Sequence, residues 1–300
     1  MNENSILERE KSFVDRLGEK YQYDSNILHL LYVIVPAFII KYGLEKERMI
    51  QNTLENIPIL ISKEKSKTTK AFYTSTLKKV DKTVQTEKFI VIQNYENIPL
   101  IELLDDLVHE MNHAIHSYRN EIHETKNYIY VRTGLTHRIY EKDTLKFVKK
   151  QDSYLLEEII NTKQTSDIIN IIKKLKPKDS SLETTIYAIN QETEETYESN
   201  SYFLQSYACR EILKNRTFLS TLESLRWSGE VLEISKWFDD IMGEKGSYQK
   251  LIQDLNEMES LEIKYGKSRF WKKRILNQIR NLLQEMKNRM EQFNRNVNFR

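Results

Sequence analysis

The sequence predicts an α+β protein, predominantly helical, with a small sheet and a helical C-terminal region. Only seven glycines and four prolines punctuate 300 residues that are rich in Lys, Glu, Leu, Ile and Asn, a composition that favours long helices. Apolar residues recur at three- and four-residue spacing through much of the chain, as they must where one face of a helix is buried. Residues 71–73 and 88–93 depart from that period, carrying β-branched and aromatic side chains that read as strands.

Taken in order, residues 5–20 and 27–42 predict helices, the second stopped by Gly43. Residues 44–56 predict a third amphipathic helix ending near Pro58, and residues 63–70 a charged, polar loop. After the strand Lys88-Phe89-Ile90-Val91-Ile92-Gln93, a continuous helix runs from residue 98, with Pro99 in its first turn, where a missing N–H costs nothing. Tyr128-Ile129-Tyr130-Val131 and Arg138-Ile139-Tyr140 predict a hairpin turning near Gly134, and residues 154–162 another helix. The stretch Lys176-Pro177-Lys178-Asp179-Ser180-Ser181 reads as a linker, dividing the chain into a region 1–175 and a helical region 176–300. Beyond it, Glu192, Glu194, Glu195 and Glu198 form an acidic patch. Residues 262–300 hold eleven Lys and Arg against three Glu, with Phe270, Trp271, Ile275, Ile279, Leu282, Leu283, Met286, Met290 and Phe293 at near-helical spacing. The expectation is a helix packed through its apolar face with its basic face in water, rather than one engaging a membrane or nucleic acid.

At 39% hydrophobic and 30% charged residues the chain can build a core. A net charge of +2 gives no global field for nucleic acid. Cys209 is the single cysteine, which excludes an intrachain disulfide framework, suits a reducing compartment and reads as a buried helix residue. The first 26 residues are polar and carry both charge signs, unlike a secretory signal. The apolar run 27–40, with His29 and Pro36 inside it, is 14 residues long, short of the roughly 20 that span a bilayer. A buried core helix, no transmembrane segment and a cytoplasmic location are expected.

The chemistry is concentrated in His109-Glu110-Met111-Asn112-His113. Histidines four apart lie one above the other on a helix face, where both rings can bind one Zn²⁺. Glu110 stands where a carboxylate can reach a metal-bound water. Leu100, Leu104, Val108, Met111 and Ile115 form the apolar back of this helix, and Asp105, Asp106, His109, His113 and His116 its polar front. A catalytic zinc wants a third protein ligand and an open position. His116 drifts round the helix from His109, and His123 would need a tight return. In the helix Tyr154–Thr162, Leu155, Leu156, Ile159 and Ile160 make the apolar side and leave Glu157 and Glu158 near its boundary; Glu158 is the preferred ligand, with Glu157 as the alternative.

HExxH followed on a later helix by a glutamate resembles the gluzincin branch of zinc metallopeptidases, which includes thermolysin and the toxin proteases of the lethal-factor and clostridial neurotoxin type. The 45 residues from His113 to Glu158 are closer to the toxin-type connection. Residues 108–116 and 156–161 are also similar to uncharacterised metallopeptidases of Firmicutes. The resemblance implies a zincin-like core, one Zn²⁺ per chain held by His109, His113 and Glu158, Glu110 as general base, and a peptide or protein substrate. The chain departs from thermolysin in carrying Thr162 where an Asp follows the glutamate ligand, so support for the histidines must come from another group. It departs from the extended metzincin motif in carrying His116 and Arg119 where that motif has Gly and His. In a zincin a strand preceding the HExxH helix edges the cleft and pairs with extended substrate; residues 88–93 are expected near that edge. Tyr154, one turn before Glu158, is the candidate oxyanion donor, ahead of Tyr140 and Tyr128. The alternative is a catalytically silent binding protein that keeps this scaffold and acts through its helical C-terminal half.

Overall fold

The computed structural model describes residues 3–62, 71–80, 83–93, 98–117, 122–150, 153–199, 201–230, 233–268 and 271–298. The protein is α+β and mostly helical. It forms two compact units, each built from two separate stretches: Met1–Tyr118 with Gln164–Ser199, and Arg119–Lys163 with Asn200–Arg300.

In the first unit, α1 (Glu3–Tyr21) packs on α2 (Ser25–Tyr42). Asp24 starts α2 by accepting the N–H groups of Asn26 and Ile27 at 2.9 and 3.1 Å. Gly43, at φ +93°, ends it as expected and donates its N–H to Ile39. Ser25-Asn26 and Lys41-Tyr42 extend the apolar run to an 18-residue helix, long and apolar enough to cross a membrane by length and composition. Here Leu30, Val33, Ile34, Val35 and Phe38 are fully buried in the unit's core.

A short 3-10 turn (Leu44–Lys46) leads into α3 (Glu47–Glu55) and then a three-stranded sheet. Its strands are β1 (Ile59–Ser62), β2 (Ala71–Val80) and β3 (Thr83–Gln93). β3 is central, parallel to β1 (Ile59 beside Ile90) and antiparallel to β2 (Tyr73 beside Ile90). Both β2 and β3 run further than the sequence predicts. Their outer halves carry Thr, Lys, Glu and Gln rather than an apolar face, so apolar periodicity does not report them. The expected loop 63–70 lies outside the described residues. α4 (Leu100–His116) packs on β2 and β3, with Pro99 at its N-cap rather than inside its first turn.

β4 (Ile122–Glu124), β5 (Tyr128–Thr133), β6 (Thr136–Glu141) and β7 (Phe147–Lys150) form an antiparallel meander in the second unit. Gly134, at φ +56°, sits in the turn of the expected hairpin. α5 (Tyr154–Ile172) begins in the second unit's stretch and ends in the first's. α6 (Ser180–Gln191) follows in the first unit. Asp179 caps α6 through the Ser181 N–H at 2.9 Å and meets Lys11 at 3.3 Å. The stretch 176–181 is therefore a helix-to-helix connection inside one unit, and the expected boundary at 175 is replaced by three chain crossings, after residues 118, 163 and 199.

The remaining helices of the second unit are α7 (Phe203–Ala208), α8 (Arg210–Leu213), α9 (Arg216–Ser228), α10 (Glu233–Met242), α11 (Ser247–Lys267) and α12 (Lys272–Asn298). Their core gathers Leu155, Leu156, Ile159 and Ile160 of α5 with Phe218, Phe238, Met258, Met286 and Phe293. Phe293 stacks on Phe238 at 4.6 Å and meets Phe218 edge-on at 5.4 Å. Ile275, Ile279, Leu282, Met286, Met290 and Phe293 are buried, while Lys272, Lys273, Arg274, Arg280 and Lys287 face solvent. This is the packed helix with a solvated basic face that the sequence predicts. Phe270 lies outside the described residues, and Trp271 is 63% exposed.

Phe293→Ala is expected to cost about 3–5 kcal/mol of stability by opening a cavity among stacked rings, while Trp271→Ala stays within about 0.5 kcal/mol of wild type. Urea unfolding of the two variants checks both values.

Candidate metal centre

The four-residue spacing on α4 brings the His109 and His113 rings together, Nε2 to Nε2 at 3.2 Å. A tetrahedral zinc with nitrogen ligands at about 2.0–2.1 Å holds such a pair about 3.3 Å apart. Both side chains are buried, at 8% and 5% exposure. Glu158, in the second turn of α5, completes a group in which one candidate ligand atom per residue lies within 4.8 Å of the others. His109, His113 and Glu158 could hold a metal ion.

Glu157 has a different fate. Its side chain is 1% exposed, and its Oε1 accepts from Nη2 of the fully buried Arg226 at 2.6 Å. Its Oε2 accepts the Leu135 N–H at 2.9 Å. Arg226 also donates to Asn161 at 3.1 Å, and Arg132 donates to the carbonyls of Gly134 and Arg226 at 2.9 and 3.0 Å. Successive helix residues point about 100° apart, so one glutamate enters this buried ion pair while its neighbour joins the histidines. Sequence reasoning missed Arg226, which stands 69 residues from Glu157 with nothing local to mark it.

Glu110 Oε2 accepts the backbone N–H of Tyr73 at 2.5 Å. The strand beside the candidate base is thus β2, an outer strand, whereas residues 88–93 lie in the central strand β3. Asn112, fully buried, accepts from the Tyr42 hydroxyl at 2.6 Å and donates to Gln164 of α5 at 3.1 Å. His116 turns its Nδ1 to the Asn112 carbonyl and its ring edge-on to Tyr42. His123 is exposed on β4 against Tyr130. Neither belongs to the metal-holding group.

No protein-family model, curated protein or solved structure matches this chain.

A segment after α6 straps α4 to α5. Glu192 accepts the Ile101 N–H at 2.9 Å in the first turn of α4, where Pro99 offers no side-chain cap. Tyr197 exchanges backbone hydrogen bonds with the Asn170 side chain, donating at 2.9 Å and accepting at 2.8 Å, and the Ser199 N–H donates to Ser166 Oγ at 3.0 Å. Ser199 Oγ donates to Asp105 Oδ2 at 3.1 Å, and the Tyr197 hydroxyl donates to the same carboxylate. Burial pushes the Asp105 carboxyl above its ordinary range, against the opposing pull of His109, Ser199 and Tyr197.

Tyr154 lies outside the metal-holding group. Its hydroxyl donates to Glu259, and burial and then that carboxylate push the phenol well above its ordinary range. Tyr140 is buried against Phe147, and Tyr128 is 39% exposed. Cys209 is fully buried and its thiol is pushed up to about 12, which leaves no thiolate for nucleophilic chemistry near neutral pH.

A Cβ on Gly134 would fall 2.1 Å from Glu157 Oε1, and the residue's φ of +56° disfavours any side chain. Gly134→Ala is expected to destabilise by about 1–3 kcal/mol, and Arg226→Met by about 3–5 kcal/mol because Glu157 is left charged and buried. Equilibrium urea denaturation of both variants measures these losses.

Proposed function

We propose that the protein is a zinc-dependent metallopeptidase of the gluzincin type, built on a zincin-like core and hydrolysing a peptide or protein substrate. The observation that carries this reading is the convergence of His109 and His113 of α4 with Glu158 of α5, with Glu110 following His109 directly in α4. Two imidazoles and one carboxylate suit Zn²⁺ and leave a coordination position open. When bound, zinc supplies Lewis acidity and brings a bound water's pKa to about 7. The Tyr73 N–H holds one oxygen of Glu110, and the carboxylate takes the proton of the attacking water and passes it to the leaving amine. Tyr154 is the proposed oxyanion donor, and to reach that role its hydroxyl must first give up Glu259. The reading requires neither nucleic acid nor a membrane, and a reducing cytoplasm is the proposed compartment. The engagement of Glu110 by Tyr73 and of Tyr154 by Glu259 favours a second reading, a catalytically silent scaffold that binds partners through its C-terminal helices.

Elemental analysis of protein purified without chelators is expected to give about one zinc per chain for wild type and Glu110→Gln, and little for His113→Ala or Glu158→Ala. Turnover of a peptide library should fall by about 10²–10⁴-fold in Glu110→Gln. Absence of zinc from reconstituted wild type overturns the proposal. Zinc without turnover in wild type selects the silent scaffold.

A further inference from the structure

We propose that Asp105 is the carboxylate that orients His109 for metal binding, a positioning residue rather than a ligand; this rests on the metal reading of the site given above. A metal-binding imidazole almost always donates its second ring N–H to a carboxylate, carbonyl or water, which fixes the tautomer and the ring plane. The thermolysin-type position for such a group is filled by Thr162, so another residue must serve. His109 turns Nε2 toward His113, which leaves Nδ1 as the nitrogen to be fixed from behind.

Asp105 stands four residues before His109, on the same face of α4, and helix side chains tilt toward the N-terminus, so the ring leans back over that turn. Its carboxylate is itself held. Oδ2 accepts from Ser199 Oγ at 3.1 Å and the Tyr197 hydroxyl donates to the same group, both from the strap that Asn170 and Ser166 anchor. Oδ1 is buried and has no hydrogen-bond partner among the described residues. A buried carboxylate oxygen left unpaired costs free energy unless it faces a positive or N–H-bearing group. His109, one helical turn on, is an attractive charge partner for Asp105. The strap thereby acts on the metal centre at one remove: Ser199 and Tyr197 hold Asp105, and Asp105, which attracts the His109 ring without a hydrogen bond to it in this structure, is the carboxylate placed to orient it.

The test uses the full-length protein with zinc alone as probe. Zinc affinity is measured by chelator competition, and the His109 imidazole is followed by ¹⁵N-histidine NMR in metal-free protein, assigned against His109→Ala. Asp105→Asn is expected to lower zinc affinity about 10–100-fold and to shift His109 away from its Nδ1-protonated tautomer, with Asp105→Glu restoring part of both. Should Asp105→Asn fail to fold, Tyr197→Phe carries the same test, and a weakening of zinc binding by twofold or more supports the assignment. Zinc affinity within twofold of wild type together with an unchanged tautomer, in whichever variant folds, overturns it while leaving the metal centre intact. Wild type that binds no zinc overturns the metal centre, and the role of Asp105 with it.

Discussion

Asn112 lies fully buried one residue before His113, and both ends of its amide are hydrogen-bonded to neighbouring helices, to Tyr42 of α2 and to Gln164 of α5. An amide stripped of its partners in such a place costs about 1–3 kcal/mol. α4 therefore cannot turn by one residue, which would swing its side chains by about 100°, without breaking both contacts. The histidine pair inherits its direction from that constraint. Gln164 opens the stretch of α5 that belongs to the first unit, so the bond that fixes α4 ties it to that part of α5.

Side by side on α5, two glutamates show how environment rather than residue type assigns a role. Glu157 is enclosed by Arg226 and the Leu135 N–H, and a buried pair of this kind is tolerable only where further hydrogen bonds, here from Leu135 to Glu157 and from Arg226 to Asn161, offset its desolvation. Glu158, partly exposed, has its carboxylate 3.8 Å from the Lys150 ammonium and belongs to the group that could hold a metal ion. Gly134 is tied to this division, since any larger residue at the hairpin turn would occupy the space of the Glu157 carboxylate.

What was legible in the sequence was local. The i, i+4 spacing of His109 and His113, the adjacency of Glu110, the hairpin about Gly134 and the helix under Leu155, Leu156, Ile159 and Ile160 all follow from periods of a few residues, and the apolar side of α5 narrowed the third carboxylate to two. The partners that fix these groups come from far along the chain: Arg226 is 69 residues from Glu157, Glu192 is 91 from Ile101, and Ser199 is 94 from Asp105. Nothing in a serine or a glutamate announces such a meeting. β1 was also missed, because four residues pairing in parallel with β3 show no alternation, and the polar outer halves of β2 and β3 carry no apolar signal.

The chain enters the second unit, returns to the first along α5, and leaves it again at residue 199. A ribosome therefore delivers every residue of the first unit before the C-terminal helices exist. During that interval Leu155, Leu156, Ile159 and Ile160 have no core to enter, because the phenylalanines and methionines that cover them follow residue 200. Transiently exposed apolar helix faces of this kind are where multidomain chains aggregate or recruit chaperones. Synthesis of this protein thus passes through a vulnerable period about a hundred residues long, set by chain order alone.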